Sequence, residues 1–129
     1  MTFSFHSITP LIEPDLRIIA VYALGSVVRD ELRAESDIDL AFLLAPGSFM
    51  SATEVAAWSN ALAEIVGRRV DLGVLSAKNL VYTRQALLTG QCVYRRPFSQ
   101  AALMVATWLG LYAGYQEERR EVLNAYTVG

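Results

Sequence analysis

The chain has 129 residues, 53% of them hydrophobic, and a formal net charge of −2. That length suits one domain and is too short for two with separate cores. The charge excludes a surface built to hold long nucleic acid through clustered cations, but not a nucleotide held through a metal ion.

The single cysteine, Cys92, cannot form an internal disulfide, and no Cys/His cluster suggests zinc. Cys92 reads as a small apolar core residue. "MTFSFHSITP" lacks the basic and long apolar regions of a signal peptide, so a reducing, cytoplasmic setting fits. The uncharged stretch from Pro97 to Gln116 approaches a membrane span in length, but Ser99, Gln100, Thr107, Gly110 and Gly114 dilute it. It reads as a buried or partner-binding helix.

In chain order, residues 5 to 14 read as a short helix ending near Pro14. Leu16 to Ser26 is a first strand, rich in Ile, Val and Tyr and closed by Gly25. Ser26 to Ala34 is a short helix with Ser26 as N-cap. Asp37 to Ala45 is the second strand, broken by Pro46 to Ser48. Ser51 or Thr53 caps a helix running to about Val66, with Val55, Trp58, Leu62 and Ile65 at helical spacing and Gly67 as its stop. Arg68 to Ser76 is the third strand, and Lys78 to Thr89 a helix stopped by Gly90. "QCVYRR" can add a short strand, and Ser99 to Ala125 reads as one long helix. The result is a single α/β domain over 1–129, with a core at about 16–96 and a terminal helix at about 99–125. The connection from the first strand to the second is at the length limit of a parallel crossover, so spacing allows a mixed or a parallel sheet.

Alternation along the second strand puts Asp37, Asp39, Ala41 and Leu43 on one face and Ile38, Leu40, Phe42 and Leu44 on the other. The apolar face is core. The opposite face begins with two convergent carboxylates, which repel unless a cation or proton lies between them. Carboxylates holding Mg²⁺ beside a nucleotide phosphate meet that need. Gly25-Ser26 supplies the other half: glycine admits a close backbone approach, and a helix starting there aims N–H groups at an anion. Asp71 shares a face of the third strand with Gly73, where a small residue leaves room.

Gly25-Ser26, Arg29, Ser36-Asp37-Ile38-Asp39-Leu40 and then Asp71 in a later strand resemble the polymerase-beta-type nucleotidyltransferase superfamily, and the small size resembles its minimal nucleotidyltransferases. The match covers Val21 to Leu75. It implies a mixed sheet flanked by helices. It also implies Asp37, Asp39 and Asp71 as catalytic ligands of two Mg²⁺ ions, and Gly25, Ser26, Arg29 and Ser36 around the triphosphate of ATP. Asp30 after Arg29 departs from the many members with a small residue there; it is either a partner of the helix dipole or a repulsion on phosphate.

The resemblance further implies a partner: a HEPN-domain ribonuclease toxin, with this chain as a type VII-like antitoxin that transfers AMP to a toxin tyrosine. The apolar residues Leu103, Val105, Trp108, Leu109, Leu111, Tyr112 and Tyr115 ring the terminal helix and suit burial on more than one side. Transfer to a small hydroxylated molecule such as an aminoglycoside, and a binding antitoxin without catalysis, are the alternatives. Lys78, Arg84, Arg95-Arg96 and Arg119-Arg120 read as solvated surface.

Overall fold

The computed structural model describes residues 5–25, 37–110 and 120. A 3₁₀ turn, Phe5–Ile8, runs into a short helix α1, Thr9–Ile12, and buries Ile8 and Ile12. Strand β1 is Ile18–Leu24 and β2 is Ile38–Leu44. Helix α2, Ala52–Val66, leads to β3, Val70–Val74. A 3₁₀ turn, Ala77–Asn79, then α3, Leu80–Thr89, leads to β4, Gln91–Arg95. Residues 101–110 are helical, as is 120. The helix expected from Ser99 thus starts two residues later, and its remainder over 111–119 and 121–125 lies outside the described residues, as does the helix expected over 26–34.

The strands form one sheet in the order β3-β2-β1-β4. β1 pairs antiparallel with both β2 and β4, whereas β2 and β3 are parallel. The sheet is therefore mixed. The chain between β1 and β2 need only return to an antiparallel neighbour. The parallel step has the whole of α2 as its crossover.

Helices cover both faces. Ile38, Leu40 and Phe42 pack with Val70, Leu72 and Leu62 under α2. Ala41 and Leu43 pack with Ile19, Tyr22 and Ala86 under α3 and the helix over 101–110. A central strand buried on both sides needs a continuous apolar run, and β1 has one in IIAVYAL. The acid-bearing face of β2 is thus a second core beyond Asp39.

Helix α2 starts on Ser51, the first of the two possible caps. Its Oγ accepts the Glu54 N–H at 3.1 Å, while Glu54 Oε1 accepts the Ser51 N–H at 3.2 Å. This reciprocal pair satisfies two otherwise orphaned donors. Trp58 meets Phe42 edge-on at 5.5 Å. Ile65, expected inward, is 40% exposed; Ala63 and Val66 face the core instead. On the helix over 101–110, Ala101, Met104, Val105 and Trp108 pack on the sheet, and Leu103 points outward.

Two further expectations change, while Gly90 stops α3 as expected. Cys92 is exposed rather than core, because it lies on β4, an edge strand of the sheet. Arg96 is a clamp rather than a solvated charge. Its Nε donates to the Ile18 carbonyl at 3.0 Å, and its Nη2 donates to the carbonyls of Asp15 at 3.0 Å and Glu13 at 3.2 Å. Gly90 ends α3 without a left-handed turn, at φ −79°. A Cβ there would stand 2.6 Å from Leu24 Cδ2 and collide with the Ala86 carbonyl, so close packing of α3 on β1 demands the glycine. Among the described residues no helix is long and apolar enough to cross a membrane.

At the end of the sheet where β2 finishes, Arg17 links three segments. Its guanidinium pairs with Asp15 and Glu54, each at 2.8 Å, and donates to the Phe49 carbonyl at 2.8 Å. The side-chain hydrogen bond from Arg17 holds the Asp15 carboxyl below its ordinary range. A carboxyl depressed in the folded state binds fewer protons folded than unfolded, so its contribution is complete above the unfolded pKa and is lost as pH falls through the folded one. Arg17→Met should therefore lower the stability at pH 7. That difference from wild type should shrink in urea titrations carried below about pH 4.

Candidate active site

The acids gather at the end of the sheet where β1 finishes and β2 and β3 begin. Register places Leu24 opposite Asp39 and Asp39 beside Asp71. Adjacent strands lie roughly 4.8 Å apart, so two side chains in register on the same face share one space. Leu40 and Leu72, the next residues along, are buried on the opposite face under α2 and hold that register.

Gly25 follows β1 at φ +68°, a backbone conformation that disfavours any side chain. A Cβ there would also stand 3.0 Å from Asp39 Oδ2. Both reasons keep the backbone close against the carboxylate. Asp37 lies just before β2, half exposed, with its Oδ2 turned to 3.9 Å from Arg69 Nε. That pair is open to solvent and holds Asp37 weakly. The structure thus brings together Gly25, Asp39 and Asp71 and leaves Asp37 at the rim. Among the described residues no three metal-binding side chains are already gathered into a cage. Ser26, Arg29, Asp30 and Ser36 lie outside the described residues.

Burial, followed by the charges of Asp71 and Asp37, pushes the Asp39 carboxyl above its ordinary range. Like charges placed this closely favour a proton or a cation between them. The donors are all carboxylate oxygens, the hard ligands that suit Mg²⁺.

The cleft over this pair, about 350 Å³, is walled by Leu24, Asp39, Asp71, Gly73 and Tyr82. Tyr82 is the residue sequence reasoning missed. It sits in the first turn of α3, half buried, and burial with the charges of Asp71 and Asp39 pushes its phenol up. Its hydroxyl lies where a Gly73 side chain would be, so a Cβ on Gly73 would collide with it and would stand 3.2 Å from Tyr82 Cζ. The room beside Asp71 is therefore taken by a phenol from the same chain. A glycine inside a strand signals such a close approach, but does not say what approaches. Lys78 and Arg84 are exposed, as expected of surface residues, and Lys78 lines a different cavity near Phe49 and Trp108.

Residues 6–98 match the family model described as polymerase beta, nucleotidyltransferase. No curated protein matches the chain. Solved structures do. One is a toxin–antitoxin crystal structure with AMP-PNP, 20% identical with a TM-score of 0.74, covering 95% of this chain and 97% of that one. Another is the toxin–antitoxin MntA-HepT, 20% identical with a TM-score of 0.67, covering 95% of both chains. A third is the tri-AMPylated HEPN toxin of Shewanella oneidensis in complex with its MNT antitoxin, 20% identical with a TM-score of 0.67, covering 95% and 94%. At these identities the likeness speaks for the fold.

Two measurements check the site. Gly73→Ala should cost about 1–3 kcal/mol in chemical denaturation, as overpacking does, and less in a Tyr82→Phe background that lacks the clashing oxygen. A carboxyl raised in the folded state binds more protons folded than unfolded, so the stability it carries at low pH is lost as pH rises through the folded pKa. Asp39→Asn should accordingly raise the melting temperature at pH 7, and the gain should fade on acidification. Mg²⁺ should raise the melting temperature of wild type more than that of Asp39→Asn.

Proposed function

The chain belongs to the polymerase beta nucleotidyltransferase family, and from that premise we propose that it is a Mg²⁺-dependent antitoxin enzyme that moves AMP from ATP onto a tyrosine of a HEPN ribonuclease toxin. The observation that carries the chemistry is the in-register pair Asp39 and Asp71 on adjacent parallel strands. The partner is supported by fold neighbours that match over nearly the full length of both chains. One of them holds AMP-PNP, and another is bound to a tri-AMPylated HEPN toxin.

Asp39 and Asp71 would hold the metal, with Asp37 joining them by turning from Arg69. Bound Mg²⁺ supplies charge neutralisation for the phosphate oxygens and the leaving group. Gly25 and Ser26, with Arg29 and Ser36, take the triphosphate. Asp71 accepts the proton of the acceptor tyrosine, whose phenolic oxygen attacks the α-phosphorus as pyrophosphate leaves. Leu103, 66% exposed on the helix over 101–110, offers apolar surface to a partner.

Intact mass of a HEPN ribonuclease toxin, after incubation with the chain, ATP and Mg²⁺, tests the reading. One or more AMP units should be added. The Asp37→Asn/Asp39→Asn double variant should slow the addition by on the order of 10²- to 10³-fold while still forming the complex. Full neutralisation of the toxin by that variant would make the chain an antitoxin by contact alone.

A further inference from the structure

The cleft already contains the functional group that the proposed reaction consumes. Among the described residues lining it, Tyr82 alone carries a hydroxyl. That hydroxyl lies over Gly73, two residues along the same face of β3 from Asp71. Two other described tyrosines are placed elsewhere. Tyr22 is buried in the core beneath α3, with the Arg95 side chain near its hydroxyl. Tyr94 is buried on the α2 face, with Arg96 over its ring. Tyr82 is only half buried, so its ring has one side open to the cleft.

We propose that Tyr82 is a self-acceptor, nucleotidylated in cis when no partner presents a tyrosine. The inference rests on the reading above and extends it to a modification site on this chain. The Tyr82 oxygen forms a bond to the α-phosphorus of ATP, and the bond from that phosphorus to the bridging oxygen of the β-phosphate breaks. The phenolic proton passes to the Asp71 carboxylate and then to water, and pyrophosphate leaves. No oxidant or further reactant enters. The product is a tyrosyl-AMP ester whose nucleotide stays in the cleft, where it stands in the way of a second acceptor. The close fit over Gly73 gives this tyrosine a fixed starting position beside the base, which a surface tyrosine lacks.

The test uses the full chain alone with ATP and Mg²⁺, read by intact mass and by peptide mass mapping, with a parallel sample containing a HEPN toxin. A gain of one adenylyl unit, mapped to the peptide bearing Tyr82 and absent from Tyr82→Phe, supports the proposal. Mapping on the wild-type chain needs no variant to fold. Modification of the HEPN protein with none on this chain overturns the self-acceptor and leaves the toxin-directed reading standing. Modification of this chain at a residue other than Tyr82 overturns it as well. No adenylyl group on either protein overturns both readings together.

Discussion

The register between β2 and β3 is the constraint on which the site depends. Ile38, Leu40 and Phe42 on one strand and Val70 and Leu72 on the other are driven to the α2 face by burial. Because side chains alternate, that burial sends Asp39 and Asp71 together to the other face. A slip of one residue would cost several buried side chains, each worth about 1.5–3 kcal/mol. The repulsion between two partly exposed carboxylates is smaller than that, so packing on one face can hold apart-pushing charges in place on the other. The site is strained in charge and relaxed in shape, which suits a surface waiting for a cation.

The cleft walls follow from the same geometry. Gly25 must be small because its neighbour across the sheet is Asp39's strand, and Gly73 must be small because α3 lays Tyr82 across it. Gly90 lets α3 lie that close by removing the side chain that would strike Leu24. The three glycines are therefore one packing arrangement: they bring a turn, a helix and the acid pair within reach of each other.

Much of this was legible in the residues. The alternation in DIDLAFLL placed the acids on a face, and the Ser51 cap and Gly67 stop bounded α2, because each is a local rule of backbone geometry. Strand direction was not legible, since the length between β1 and β2 permits either sense; it came from the family resemblance. Cys92 and Arg96 were misread because their surroundings come from β1, some 70 residues earlier in the chain. Tyr82 was missed for a related reason. Its place depends on how α3 docks, and only Gly73 hinted that something would come close. Arg29, Asp30 and Ser36, outside the described residues, stay as the resemblance has them.

The Arg96 clamp has a consequence for the birth of the protein. It joins β4 to the carbonyls of Glu13, Asp15 and Ile18, so the sheet closes only after residue 96 has been made. Until then the outer edge of β1, the most apolar strand, has no partner. At the usual pace of translation the nascent chain carries that open edge for roughly 4–15 seconds while the stretch from β1 to Arg96 is synthesised. For that interval β1 is a template for any extended segment nearby. A strand of only five residues and one arginine bring it to an end.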